Sequence, residues 1–145
     1  ATLFNSTEGV LYAEIAALAD DSDSKRITIS DGTTTNRITM SLFNNVVTGF
    51  INVNNVTQYT FFESGQNVLS TIKIAVKYKA NDFALWINGT EYDVSSSGST
   101  FANDTLNLLS FDNAMGANNF YGKTKALVVY KEALTDEQLT CLTTI

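Results

Sequence analysis

Apolar and polar residues alternate with a period of two along most of the chain, in short runs separated by clusters of Asn, Asp, Gly and Ser. Successive side chains of a strand point to opposite faces, so this period predicts strands buried on one side. Ten runs carry it: Gly9–Ala17, Arg26–Ser30, Arg37–Phe43, Thr48–Asn54, Gln58–Glu63, Thr71–Lys79, Phe83–Asn88, Thr90–Val94, Leu106–Phe111 and Tyr121–Tyr130. Turn signals fall between them at Asp20–Asp23, Asp31-Gly32, Asn44-Asn45, Asn54-Asn55, Ser64-Gly65, Ala80–Asp82, Asn88-Gly89 and Asp112–Asn119. Asn88-Gly89 is the strongest, because a type I′ hairpin needs positive φ at both central residues. One stretch breaks the strand period. Thr135 is a good N-cap, Gln138 completes a capping box, and Leu134 and Leu139 occupy the positions of a hydrophobic staple, which together predict one short helix. In the strand before it, Thr124, Ala126, Val128 and Tyr130 read as the buried side and Lys123 and Lys125 as the polar side.

The same alternation sorts candidate ligand-facing residues. If Ile74, Val76 and Tyr78 face the core with Phe83, Leu85 and Ile87 across a four-residue turn, then Ala75, Lys77, Ala84 and Trp86 share the opposite face and Trp86 lies open on the concave sheet. A three-residue turn reverses the parity and places Trp86 inside. Leu11, Ala13 and Ile15 oppose Tyr12 and Glu14; Ile38, Met40 and Leu42 oppose Arg37, Thr39 and Ser41. Trp86, Tyr12 and Arg37 are therefore candidates for one outer face, with Lys77 nearby and Tyr59 with Phe61, or Phe62 on the other parity, as a further platform. Such residues suit a sugar: a ring stacks on a pyranose, and a guanidinium grips a carboxylate bidentately. Each also has a plainer reading, as core for a strand Trp, Tyr or Phe and as a solvated side chain for Arg37.

Composition narrows the choices. With 145 residues and 44% hydrophobic content the chain is read as one domain, residues 1–145, whose start at Ala1 is compatible with excision from a longer polypeptide. Proline is absent, so the fifteen asparagines, with Gly and Asp, must supply the turns. A net charge of −6 argues against a nucleic-acid surface, and no window approaches a membrane span. The lone Cys141 cannot form an internal disulfide and is expected to be buried beside Leu139 and Leu142. The absence of histidine removes Ser-His-Asp and Cys-His nucleophile systems and the commonest general base. Asp20, Asp21 and Asp23 cluster in one loop, either as oxygen ligands for a hard cation or as a turn balanced by Lys25 and Arg26; Asp112-Asn113 is a second such loop.

Several segments resemble a known family. Gly122-Lys123-Thr124-Lys125 running to Tyr130, the ending Ala133-Leu134-Thr135-Asp136, the strand Ile74-Ala75-Val76-Lys77-Tyr78 followed by Leu85-Trp86-Ile87-Asn88-Gly89, and Ser30-Asp31-Gly32-Thr33 together resemble laminin G-like domains of the concanavalin A-like lectin/glucanase superfamily. Leu11-Tyr12-Ala13-Glu14 and the Ala133–Asp136 ending are also similar to such domains in tailed-phage structural proteins. The resemblance implies an all-β fold, an antiparallel two-sheet jelly-roll sandwich with one short C-terminal helix sealing an edge. It further implies a non-catalytic carbohydrate-binding module for an oligo- or polysaccharide, at a virion surface or outside the cell, with parent or neighbouring virion subunits as partners. Many such domains bind Ca²⁺, which points to Asp20, Asp21 and Asp23. Related glucanases carry an acidic triplet on one strand; Glu91-Tyr92-Asp93 begins that pattern, but Ser95 and Ser96 stand where the third carboxylate belongs, so no hydrolase activity is expected. The alternative is a structural or protein-interaction domain of a larger assembly with no sugar ligand.

Overall fold

The computed structural model describes residues 3–145. Ten strands and one helix follow each other as β1 (Glu8–Ala17), β2 (Lys25–Ser30), β3 (Arg37–Phe43), β4 (Val46–Val53), β5 (Val56–Glu63), β6 (Ile72–Lys79), β7 (Phe83–Ile87), β8 (Thr90–Ser95), β9 (Leu108–Ser110), β10 (Gly122–Tyr130) and α1 (Asp136–Thr143). They form two five-stranded sheets, ordered β10-β1-β6-β7-β8 (sheet I) and β5-β4-β3-β2-β9 (sheet II). All paired strands are antiparallel, as a jelly-roll sandwich requires.

Asparagine pairs make the tightest hairpins. Asn44 and Asn45 between β3 and β4, and Asn54 and Asn55 between β4 and β5, all have φ between 45° and 64°. Asn88 and Gly89 between β7 and β8 stand at 48° and 84°. The right-handed twist of the flanking strands selects this turn, and Asn tolerates the left-handed region with least penalty after Gly.

The inward parity of both sheets fills one core. Leu11, Ala13, Ile15, Ile74, Val76, Tyr78, Phe83, Leu85 and Ile87 from sheet I meet Ile27, Ile29, Ile38, Met40, Leu42, Val47, Ile51, Tyr59 and Phe61 from sheet II. Gly49 makes room for this packing. A Cβ there would run into the Phe61 ring and the Thr39 carbonyl, so the ring lies directly across β4.

The last strand departs from its expected parity. A bulge opposite Glu14/Ile15 shifts the register, so that Leu127 and Val129 pair with Ala13 and Leu11 and pack against the core. Ala126 and Tyr130 turn outward, and Val128 is 38% exposed. The extra residue of the bulge breaks the period on which the sequence reading relied.

Helix α1 is capped as expected: Thr135 Oγ1 accepts from the Gln138 amide at 3.2 Å, and the Thr135 amide donates to Gln138 Oε1 at 2.9 Å. It lies across the outer face of sheet I instead of sealing an edge, with Leu139 buried against Val10, Tyr12, Ala75, Ala84 and Trp86. Its far end is fixed by the β7–β8 turn. The Gly89 amide donates to Thr143 Oγ1 at 3.0 Å, the Lys73 amide donates to Asn88 Oδ1 at 2.9 Å, and Lys73 Nζ donates to the Thr144 carbonyl at 2.9 Å. Leu139 and Thr143 form the buried stripe, and Cys141, more than half a turn away from either, is exposed, contrary to expectation. Among the described residues no helix is long and apolar enough to cross a membrane.

Candidate functional site

The face of sheet I is closed. Trp86, Tyr12, Lys77, Ala75 and Ala84 do share one side, as the four-residue turn predicts, but α1 covers it. Trp86 is 7% exposed and its Nε1 is buried with no partner; Tyr12 is 5% exposed, and burial, with Glu14 and Tyr130, raises its phenol above the usual range. Neither ring presents a free face for stacking, which corrects the expectation of an open Trp86. Lys77 is buried and paired with Asp82 at 2.6 Å across the β6–β7 turn. Tyr59 points into the sandwich, where its ring stacks on Phe83 at 5.3 Å and its hydroxyl donates to Asp93 Oδ1 at 3.2 Å, joining the two sheets.

In the acidic loop the carboxylates of Asp20 and Asp21 have partners, and Asp23 takes part through its backbone. Asp20 Oδ1 accepts from the Asn45 amide at 2.7 Å, and Asp21 Oδ1 accepts from Lys25 Nζ at 2.5 Å and from the Asp23 amide at 3.2 Å. The hydrogen bond from Lys25 holds the Asp21 carboxyl below its ordinary value. Asp23 contributes its backbone carbonyl to the same Lys25, at 2.9 Å. Among the described residues no three His, Cys, Asp or Glu side chains gather as metal ligands.

Arg37 leads to a different surface, the outer face of sheet II. Register alone lays out its centre: Thr28 of β2 pairs with Thr39 of β3, Thr39 with Phe50 of β4, and Phe50 with Thr60 of β5. One row away, Arg26 pairs with Ser41 and Ser41 with Thr48; on the other side Ser30 pairs with Arg37 and Arg37 with Asn52. Two arginines thus enter from opposite rows and converge on one ring. The Arg37 Cζ lies 4.7 Å and the Arg26 Cζ 5.9 Å from the centre of Phe50. Beneath them Thr28, Ser30, Thr39 and Ser41 form a buried floor of hydroxyls.

A loop forms the wall. Thr28 Oγ1 donates to the Asp112 carbonyl at 2.6 Å, Arg37 Nη1 donates to the Asn113 carbonyl at 2.7 Å, and the Arg26 amide donates to the Asn118 carbonyl at 3.0 Å. The loop is itself braced, since Asp112 Oδ1 accepts from the Ala114 amide and Asn113 Oδ1 accepts from the Met115 and Ala117 amides. The Asp112-Asn113 pair therefore acts on this face through its carbonyls, with its side chains spent on the loop.

The electrostatics are one-sided. No strand position facing outward with Arg26 and Arg37 carries Asp or Glu, and every ion pair among the described residues uses a lysine. Burial lowers the pKa of both arginines, and for Arg37 the charge of Arg26 lowers it further. Both remain charged, because guanidinium loses its proton only in strong base. Arg26 Nε, Arg37 Nε and Ser110 Oγ are buried without a partner, and Ser110 lies opposite Thr28 on the same floor. Each unmet buried donor costs about 1–3 kcal/mol. The Phe50 ring offsets part of the mutual repulsion by cation–π attraction, about 0.5–2 kcal/mol.

Of Trp86, Tyr12, Arg37, Tyr59 and Lys77, only Arg37 belongs to this cluster, while Asp112-Asn113 borders it through its carbonyls and Phe62 lies on the same face. Arg26 was within reach of the same parity argument, since it alternates with the inward Ile27 and Ile29. Phe50 could have been placed by counting outward from the Asn44-Asn45 turn. The loop carbonyls carry no local signal.

The architecture matches solved lectin-like sandwiches. The CBM40 module of Ruminococcus gnavus IT-sialidase, bound to α2,3-sialyllactose, superimposes with a TM-score of 0.78 at 15% identity, covering 97% of this chain and 84% of that one. Leech intramolecular trans-sialidase complexed with 2,7-anhydro-Neu5Ac matches with a TM-score of 0.74 at 17% identity, over 97% of this chain and 24% of that one. The heptameric SAP-like pentraxin of Limulus polyphemus gives 0.64 at 13% identity, over 96% of this chain and 70% of that one. At such identities the likeness is one of fold. No protein-family model and no curated protein sequence matches the chain.

Proposed function

We propose that this chain is a non-catalytic carbohydrate-binding module that holds the carboxylate of an acidic glycan between Arg26 and Arg37 on the outer face of sheet II. The observation that carries the reading is the pair of guanidiniums on Phe50, neither of them ion-paired with a carboxylate among the described residues. A planar carboxylate suits the guanidinium fork, and the partly exposed Thr48 and Asn52, on β4 in the rows of the two arginines, are neutral hydrogen-bonding groups of the kind a sugar needs. Support also comes from the sandwiches of like fold, among them the CBM40 module solved with α2,3-sialyllactose and a botulinum neurotoxin binding domain solved in complex with SialylT. Sialic acid is the acidic sugar that these relatives in shape suggest. Among the described residues the face carries no pair of carboxylates to serve as acid and nucleophile, which favours binding over two-carboxylate hydrolysis. The virion-surface or extracellular setting, with neighbouring virion subunits, rests on the Leu11–Glu14 and Ala133–Asp136 segments that resemble tailed-phage laminin G-like domains.

The test is a titration of isotopically labelled protein with α2,3-sialyllactose and, separately, with lactose. The sialylated sugar should shift the amides of Arg26, Arg37, Thr39 and Phe50, and lactose should not. Equal responses to the two sugars, or none to either, would overturn the proposal.

A further inference from the structure

We infer that the same face carries a second saccharide subsite on Phe62, so that its ligand is at least a disaccharide whose acidic unit lies at the arginines and whose next unit stacks on Phe62; this rests on the acidic-glycan reading above. Phe62 is 61% exposed, although it stands in a regular strand. Its direction is set by parity: Tyr59 and Phe61 on either side of Thr60 fill the core, so Phe62 must point outward with Phe50. Pairing places it opposite Thr48, and Thr48 opposite Ser41, and Ser41 opposite Arg26. A straight row of Arg26, Ser41, Thr48 and Phe62 therefore crosses four strands, about 14 Å between its end Cα atoms. Phe62 is also diagonal to Phe50, at roughly 7–8 Å.

The two ends differ in chemistry. Phe50 is occupied by the guanidiniums, whereas the Phe62 ring has no ring or cation partner among the described residues. Thr60, opposite Phe50 and two residues before Phe62 on β5, is exposed, and Thr48 Oγ1, which donates to the Phe61 carbonyl at 2.7 Å, keeps its lone pairs for a sugar hydroxyl. Core packing does not explain Phe62, and β5 is a terminal strand of sheet II, where an exposed apolar ring invites edge-to-edge association. A pyranose C–H face laid on it turns that liability into a contact.

The experiment compares the affinities of α2,3-sialyllactose and free sialic acid, in the native protein and in Phe62→Ala. Native protein should prefer the oligosaccharide by about three- to tenfold, and Phe62→Ala should abolish that preference. Binding of both ligands with equal affinity by native protein, or a preference that survives Phe62→Ala, would overturn the Phe62 subsite while leaving the arginine site standing. If native protein binds neither ligand, the acidic-glycan reading falls and the subsite with it.

Discussion

Arg37 Nη1 donates to the carbonyl of Asn113 at 2.7 Å, tying a residue of β3 to the loop that precedes β10. The tether fixes one guanidinium before any ligand arrives, whereas Arg26 joins that loop only through its backbone amide. Preorganised donors lose less entropy on binding. Lysine cannot both hold the carbonyl and present a fork to a carboxylate. Arg37→Lys should therefore weaken α2,3-sialyllactose binding by about 1.5–3 kcal/mol, roughly ten- to a hundredfold, and Arg26→Lys by less. Calorimetric titration of the two variants decides it, and the reverse order would show that the tether does not matter.

Trp86→Ala should cost about 3–5 kcal/mol of stability, because the indole fills the space between sheet I and α1. Urea unfolding reads this as a lower midpoint. Affinity for an acidic glycan should be retained under conditions where the variant is folded, since the arginine face lies on the other sheet. A folded variant that has lost its glycan would return Trp86 to the binding site.

Much of the fold was legible because its determinants are local. Alternation marks all ten strands, the Asn pairs place the tight turns, and Thr135 with Gln138 starts the helix within a few residues of its neighbours. Parity correctly grouped Trp86 with Lys77 and Ala84. What covers that group is decided by where α1 docks, and the docking depends on Leu139 and Thr143 meeting strands far away in the chain. The bulge at Glu14/Ile15 likewise arises from pairing between the two ends of the sequence. The arginine site lay half in reach: outward parity gives Arg37 and would give Arg26, but their convergence on Phe50 and the Asn113 loop is a long-range result.

Alkali should unfold the protein in a characteristic way. Burial first, then the charges of Asp93 and Glu91 and the hydrogen bond to Asp93, raise Tyr59 far above its ordinary 10.0; burial and Glu8 do the same for Tyr78, whose hydroxyl donates to the Asn5 carbonyl. A raised native pKa contributes stability that is intact below pH 10 and is lost as pH climbs from there toward the native value. Of the six tyrosines, Tyr59 and Tyr78 should form phenolate only together with loss of the strand circular dichroism signal. Full ionisation near pH 10 with the fold intact would contradict their placement.

Purified protein should release neither reducing ends from polysaccharides nor sialic acid from sialyllactose. Glu91 lies on β8 of sheet I, away from the arginines, and Asp93 is engaged by Tyr59. Hydrolysis that disappears in Glu91→Ala would require an acidic site on the other sheet.

The clasp between the β7–β8 turn and α1 also governs how the molecule ages. An Asn-Gly pair yields isoaspartate when the glycine nitrogen attacks the asparagine side-chain carbonyl carbon, expelling ammonia to form a succinimide that water then opens; the attack needs both groups free to approach. Here the Gly89 amide is engaged by Thr143 and the Asn88 carboxamide oxygen by the Lys73 amide. Thr143→Val, which removes one of these restraints, should raise isoaspartate at residue 88 in peptide maps of stored protein, and an unchanged level would dissociate the two. The helix that closes sheet I thus also serves as a chemical preservative for this hairpin, through the hold of Thr143 on the Gly89 amide.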